Sequence, residues 1–142
     1  MHRRSFVKAA AATAVLSGTS AASLVANAAA ETAAMDALLD SWSGPNGGVP
    51  RFDKITTAAF KPALLRGMDL ARAEVKAIAE QMSASTFDNT ILSFEDSGRP
   101  LTRASILFRV YTSTMNDKEM QKIEADMSPL LAGFDDEVTQ NE

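Results

Sequence analysis

The stretch Leu38–Leu64 reads LLDSWSGPNGGVPRFDKITTAAFKPAL and joins a short apolar segment to the start of a long helix. Its middle is rich in glycine and proline, which interrupt regular structure. The turn-forming residues there are Gly44, Pro45, Asn46, Gly47, Gly48 and Pro50. We expect the stretch to be an N-terminal arm that wraps onto a helical body, held in place by Trp42, Val49 and Phe52. Before it, residues 31–41 are expected to form a short helix with Ala34, Leu38 and Leu39 on one side.

The spacing of apolar residues after the arm predicts a first long helix from about Thr57 to Met82. These residues recur every three or four positions, as on one face of a helix. They are Phe60, Leu64, Met68, Ala71, Val75, Ile78 and Met82. Gly67 lies inside this helix, where glycine costs about 1 kcal/mol relative to alanine. We therefore expect Gly67 to allow close packing against a neighbour.

The middle of the chain predicts two further helical segments. Thr86 or Asp88 is the expected cap of the first, with Ile91 and Phe94 facing inward. The run Ser97–Pro100 predicts a kink or a short break, after which a helix runs from Leu101 to about Ser113. Apolar residues cover much of its circumference, which predicts burial between neighbours. They are Leu101, Ile106, Leu107, Phe108, Val110 and Tyr111.

A last helix is predicted after Asn116, which we expect to cap it in a box with Glu119. Its apolar residues are Met120, Ile123, Met127, Leu130 and Phe134, and Pro129 is expected to bend it. No segment alternates convincingly enough for a β-strand. The predicted fold is all-α: a few antiparallel, partly kinked helices preceded by a Gly/Pro-rich arm.

Composition excludes several classes of function. The 142 residues carry a net charge of -4, which becomes -7 without Arg3, Arg4 and Lys8. This balance disfavours nucleic acid and anionic membrane surfaces as partners. The chain has no cysteine, and His2 is its one histidine. Chemistry based on a thiol, a Ser-His pair or a histidine-bound zinc ion therefore has no residues in the body of the chain.

Residues 1–28 have the features of an export signal. A charged start is followed by a mildly apolar run and by Ala26-Asn27-Ala28, a pattern that signal peptidase accepts. Arg3-Arg4-Ser5-Phe6-Val7-Lys8 favours the twin-arginine route over the ordinary secretory route. The run is too weakly apolar for a stable membrane anchor. We expect a periplasmic or envelope protein with the organisation 1–28 signal, 29–56 arm and loop, and 57–142 helical segment.

Three blocks of sequence resemble a known family. The first is W-x-G-P-x-G-G-V-P-x-F-D-K-I with A-x-F-K-P-A-L, in residues 42–64. The second is Thr86-Phe87-Asp88-Asn89-Thr90-Ile91 with Glu95 and Ser97-Gly98. The third is Thr112-Ser113, Asn116-Asp117, Met120-Gln121 and Pro129. In this order they resemble the N-terminal segment of peptidyl-dipeptidases of the thimet oligopeptidase family of zinc metallopeptidases. Pro100 departs from the family pattern, which has a helix former at that place.

The resemblance implies a parent enzyme that uses zinc to release dipeptides from the C-terminus of short peptides. Such enzymes carry H-E-x-x-H on a helix, which this chain lacks, so no catalytic, cofactor-binding or metal-binding residue is assigned to it. The resemblance therefore implies a substrate-channel-forming segment, truncated at its C-terminus and inactive alone. Zinc, the short peptides and the missing C-terminal catalytic half belong to the full-length parent.

Four other groups of residues can be interpreted as either structural or functional. Glu95-Asp96 and Asp135-Asp136-Glu137 are interpreted as solvated helix faces rather than as metal ligands. Methionines 68, 82, 115, 120 and 127 are interpreted as core packing. Arg99, Arg103 and Arg109 fit either surface arginines or a basic face that binds a carboxylate. Gly47-Gly48 lacks the context of a phosphate loop.

The main alternative is an exported, non-catalytic helical binding module that has kept the N-terminal architecture without the peptidase. An H-E-x-x-H motif encoded after Glu142 would favour the peptidase, whereas a stop codon there would favour the binding module. A chance match of a generic helical envelope protein is the third interpretation.

Overall fold

The computed structural model describes residues 19–140, with side-chain environments from residue 23 onward. The charged start of the predicted leader and the first half of its apolar run lie outside these residues. The elements in order are α1 (Thr19–Leu39), a 3-10 turn (Thr57–Ala59), α2 (Phe60–Ala79), a π-helical turn (Phe87–Leu92), α3 (Ser93–Asp96), α4 (Arg99–Thr114) and α5 (Lys118–Thr139). Residues 19–140 contain no β-strand, and the prediction of an all-α fold is confirmed.

Helices α2 and α4 form the centre of the fold and run antiparallel. Phe60 at the start of α2 contacts Tyr111 near the end of α4, with ring centroids 4.8 Å apart. Gly67, further along α2, lies against Leu101 at the start of α4. The buried positions predicted for α2 are confirmed at Phe60, Leu64, Met68 and Ala71, and the close packing predicted for Gly67 is confirmed.

Helix α5 runs parallel to α2, so not every helix pair in the bundle is antiparallel. Near the start of α2, Lys61 Nζ lies 2.8 Å from Asp126 Oδ2 of α5. Further along both helices, Arg72 Nη2 lies 2.9 Å from Glu137 Oε2. The end of α1 completes the core by packing on α2 and α4. The largest fully buried side chains are Phe60, Leu38, Leu64, Leu107, Met120 and Met127.

The arm between α1 and α2 touches the core at fewer points than predicted. Trp42 is partly buried against the core, as expected, and Ile55 joins it there. Val49 and Phe52 are exposed, so their predicted anchoring role is wrong. The physical reason is that the loop closes on itself through an isolated antiparallel bridge between Ser43 and Val49. Gly48 has φ +86°, and a Cβ there would lie 2.5 Å from the carbonyl carbon of Trp42, so this closure requires glycine.

Two predicted helix ends are wrong. Helix α1 begins at Thr19 rather than at Glu31, although its buried residues Ala34, Leu38 and Leu39 are the predicted ones. Helix α2 ends at Ala79, which leaves Met82 fully exposed. After this end, the Gln81 side-chain amide donates to the carbonyl of Asn89 at 3.1 Å and ties the loop to the next turn.

The middle segment is capped as predicted but packed differently. Thr86 caps the π-helical turn in a reciprocal pair with Asn89. Ile91 and Phe94 are exposed within the described chain, so their predicted inward orientation is wrong. The predicted break falls at Gly98, which has φ +68° and precedes Pro100 in the first turn of α4.

Helix α5 begins one residue later than predicted. Asp117, not Asn116, accepts the capping hydrogen bond from the Met120 amide at 2.8 Å. Met120, Ile123, Met127 and Phe134 are buried as predicted, whereas Leu130 is exposed. The sequence places Asn and Asp side by side, and both are good caps, so spacing alone does not separate them.

Candidate functional site

An open apolar groove of about 530 Å³ lies between α2, α4 and α5, and we call it the α4–α5 groove. Phe108 and Phe134 are its buried aromatic residues, while Phe94 and Ile106 are exposed. The other lining residues are Ala71, Val75, Ser97, Gly98, Leu101, Thr102, Ser105, Arg109, Leu131, Asp135 and Val138. Phe94 of α3 and Leu101 of α4 both line the groove, and the chain turns between them at Gly98, which has φ +68°.

Two charged side chains line this groove without a charged partner. Arg109 projects from α4 and Asp135 from α5. Within residues 23–140, neither forms an ion pair. An apolar groove with two unpaired charges of opposite sign is the kind of surface that binds an amphipathic partner.

Near the groove, Arg72 joins α2 to α5. Its guanidinium carbon lies 5.2 Å from the centre of the Phe134 ring, and its Nη2 lies 2.9 Å from Glu137 Oε2. The hydrogen bond from Arg72 holds the pKa of the Glu137 carboxyl below its ordinary value. Arg72 therefore holds α2 and α5 together on this side of the groove by packing on the Phe134 ring and pairing with the Glu137 carboxylate.

The three arginines considered from sequence do not form one basic face. Arg99 pairs with Asp96 in the turn before α4. Arg103 donates from Nε and Nη2 to the carbonyl oxygen of Leu39, at 2.9 and 2.6 Å. Arg109 alone of the three lines the groove. Two of them therefore have structural partners, and one remains available to a ligand.

The acidic groups do not come together as metal ligands. Within the described residues, no group of three or more histidine, cysteine, aspartate or glutamate side chains is placed to hold a metal ion. Asp96 and Glu137 pair with arginines instead. Within residues 19–140 these acidic side chains thus form no metal-binding set, and no step of a hydrolytic reaction is assigned to them.

The methionines divide into two groups. Met68, Met120 and Met127 are buried, as the core-packing interpretation predicts. Met82 and Met115 are exposed, so that interpretation is wrong for these two. They follow the last turns of α2 and α4, where the chain has already left the core.

A smaller and more polar hollow lies beside the arm. It is lined by Asp36 and Asp40 of α1, by Trp42 and by Arg51 and Lys54, among others. The Trp42 Nε1 atom is buried and has no hydrogen-bond partner within the described residues. Gly47 and Gly48 lie in the adjoining bridge-closed loop, with no helix start beside them to hold a phosphate.

Comparison with known proteins supplies the identity of the chain's relatives. It is 36% identical to the dipeptidyl carboxypeptidase of Escherichia coli (strain K12) over 92 residues. The chain is similar to a segment of a dipeptidyl carboxypeptidase. The dipeptidyl carboxypeptidase of Salmonella typhimurium (strain LT2) gives 33% identity, also over 92 residues. The resemblance read from the sequence motifs is thereby confirmed.

The extent of this similarity is limited on both sides. The 92 residues are 65% of this chain but 14% of each dipeptidyl carboxypeptidase. No family model matches the chain. No solved structure matches it either.

The groove is not predicted from the sequence, although part of the signal is present there. The broad apolar band on α4 includes Ile106 and Val110, which lie on a more exposed face of the helix than the buried Leu107 and Tyr111. A band wider than one helix face predicts a second contact surface. What spacing does not supply is that Phe94, Leu131 and Phe134 converge on the same place.

Proposed function

We propose that this chain is the N-terminal, substrate-channel-forming segment of a zinc metallopeptidase that releases C-terminal dipeptides from short peptides. The observation that carries the proposal is the 92-residue similarity to dipeptidyl carboxypeptidases of two bacteria. The ordered match of three motif blocks from Trp42 to Pro129 supports it. Activity, zinc and peptide substrates belong in this proposal to the complete enzyme.

The segment itself contributes no catalytic group. A zinc peptidase of this type needs two histidines one helical turn apart and a glutamate that activates water. This sequence has His2 as its one histidine and no H-E-x-x-H motif. Its proposed role is therefore to shape the wall of a channel that admits short, unfolded peptides, and the helical bundle provides the rigid surface that such a wall needs.

Export is the second part of the proposal. Residues 1–28 act as a signal, of twin-arginine type, that directs the protein to the periplasm or cell envelope. In α1, residues 23–33 are exposed, and burial begins at Ala34, beyond the proposed cleavage after Ala28. Removal of the signal would thus leave the packed end of α1 intact. Within residues 19–140, no helix is both long enough and apolar enough to cross a membrane.

The test uses the native protein, isolated with an antibody raised against the 142-residue chain. We expect this material to release dipeptides from the C-terminus of short peptides, to lose the activity with a chelator and to regain it with zinc. The purified 142-residue chain should release none. The N-terminal residue of the native protein should be Ala29 or a close neighbour.

The non-catalytic binding module is the second candidate, and the open α4–α5 groove is the observation that favours it. Native material that is exported but releases no dipeptide at any zinc concentration would support this module and contradict the peptidase proposal.

A further inference from the structure

We infer that the α4–α5 groove is the surface on which this chain docks to the rest of the peptidase, its occupant being an amphipathic helix with a carboxylate that pairs with Arg109. This inference rests on the proposed function and names the partner surface of that segment.

Large apolar side chains lie exposed beside the groove. Phe94 is 46% exposed, Ile106 37% and Val110 44%. Ile106 and Val110 are one helical turn apart, so they share the outer face of α4 with Arg109 between them. An exposed apolar patch of this kind, adjoining a groove, marks an interaction site more often than a free surface.

The size of the relatives indicates what covers the patch. The matched 92 residues make up 14% of a dipeptidyl carboxypeptidase, so most of each relative lies outside this segment. A segment that forms part of such an enzyme must bury one face against the remainder. Beyond the proposed signal, α2, α3 and α5 each expose one large apolar side chain, and these are Leu65, Phe94 and Leu130. Helix α4 exposes two, Ile106 and Val110, one turn apart beside the groove. The groove is therefore the best candidate for the face that the remainder of the enzyme covers.

The charges specify the occupant further. Docking removes Arg109 and Asp135 from water, and a charge buried without a partner is costly. A helix that fills the groove is therefore expected to bring a carboxylate to Arg109 and a lysine or arginine to Asp135. The groove volume of about 530 Å³ accommodates the side chains of one helix face rather than a whole helix.

The experiment uses the full 142-residue chain and the E. coli dipeptidyl carboxypeptidase from which the matched 92-residue segment has been deleted. The enzyme's own excised segment serves as the reference that restores peptidase activity. We expect this chain to bind the deleted enzyme and to restore activity in part. Ile106→Asp should weaken binding at least about tenfold, because docking would bury an unpaired carboxylate. Arg109→Glu should weaken binding by a similar factor.

Two control variants match these changes. Val49→Asp alters an apolar residue that is 58% exposed in the arm, outside the groove. Arg66→Glu reverses an exposed charge on α2 that does not line the groove. Both should bind as the unchanged chain does. Val49→Asp, Arg66→Glu and Arg109→Glu should keep the helical circular dichroism and the melting temperature of the free chain, because the altered side chains are exposed there. Ile106→Asp should keep the helical circular dichroism and lower the melting temperature, because the Ile106 side chain is 37% exposed and the rest of it packs on the free chain.

Three results would overturn the inference. Equal binding by the Ile106→Asp variant and the unchanged chain would refute the groove while leaving the proposed function in place. A dimer of this chain that Ile106→Asp dissolves would identify a second copy as the occupant. Failure of the unchanged chain to bind, when the enzyme's own segment restores activity, would refute both the groove and the proposed function.

Discussion

Gly67 of α2 lies directly against the backbone of Leu101 in α4. A Cβ at Gly67 would lie 3.0 Å from the Leu101 Cα and 3.2 Å from its Cβ. This contact sets how closely α2 and α4 approach, since no side chain separates the two backbones there. The antiparallel pair, and with it one side of the α4–α5 groove, depends on this approach.

We expect Gly67→Ala to lower the free energy of unfolding by about 1 kcal/mol. Alanine gains about 1 kcal/mol in helix propensity, but crowding a packed site costs about 1–3 kcal/mol. Gly133 in α5 is the matched control, because a Cβ there would meet no atom within 4 Å. Gly133→Ala should raise the free energy of unfolding by up to about 1 kcal/mol. Urea unfolding measures both, and stabilisation by Gly67→Ala would contradict the close contact.

Arg103 fixes the end of α1 to α4 through its two hydrogen bonds to the Leu39 carbonyl. Arg103→Met should lower the free energy of unfolding by about 1.5–3 kcal/mol, the usual value of a hydrogen bond to a charged group. Arg99→Met removes an exposed pair with Asp96 and should change stability by less than about 0.5 kcal/mol. Amide exchange should show that Arg103→Met loosens α1 first. Equal effects of the two variants on stability would argue against the Arg103–Leu39 hydrogen bonds.

The cap of α5 gives a prediction that separates two neighbouring residues. Asp117→Ala should lower the free energy of unfolding by about 1 kcal/mol, because the Asp117 side chain accepts a hydrogen bond from the Met120 amide. Asn116→Ala should cost less than about 0.5 kcal/mol, because the Asn116 contact with Gln121 uses its backbone carbonyl. Thermal unfolding of the two variants decides between them. A larger loss of stability for Asn116→Ala than for Asp117→Ala would show that Asn116 is the cap, as the sequence pattern predicts.

Acid is expected to weaken the contact between α2 and α5. Hydrogen bonds from Lys61 and then from Lys122 hold the pKa of Asp126 below its ordinary value of 3.8. A lowered pKa in the folded state stabilises the protein above pH 3.8. That stabilisation is lost as the pH falls through the folded-state value. Lys61→Met should therefore be less stable than the unchanged chain at neutral pH, and the difference should shrink on acidification below pH 3.8.

Unfolding measured from about pH 6 to about pH 3 tests this dependence. Lys118→Met is the control, since Lys118 forms no ion pair within residues 23–140. A difference between the unchanged chain and Lys61→Met that stays constant over this range would show that the Lys61–Asp126 pair is absent in solution.

Much of the helical core follows from sequence, because apolar spacing reports which helix face is buried. Phe60, Leu64 and Met68 illustrate this success, and the closeness of Gly67 follows from the cost of glycine in a helix. The end of α2 does not follow from spacing, because the Gln81–Asn89 hydrogen bond that ties the loop depends on tertiary geometry.

The α4–α5 groove is the part that sequence predicts least. Phe94 is a large apolar residue of the kind that is usually buried in a core. The fold shows that it is 46% exposed at the edge of the groove. The same apolar character would suit either a buried position or a docking surface. Burial depends on which other helices are present, and this information is not contained in local spacing.

The measurement that tests the central claim most directly is the intact mass of the native protein that carries this segment, recorded by mass spectrometry of the cell-envelope fraction. The account predicts a product several times heavier than the 15.1 kDa of the 142 residues, lacking the signal at its N-terminus. A stable product lighter than 15.1 kDa, with no larger form, would contradict the peptidase segment. It would leave the exported binding module as the better explanation.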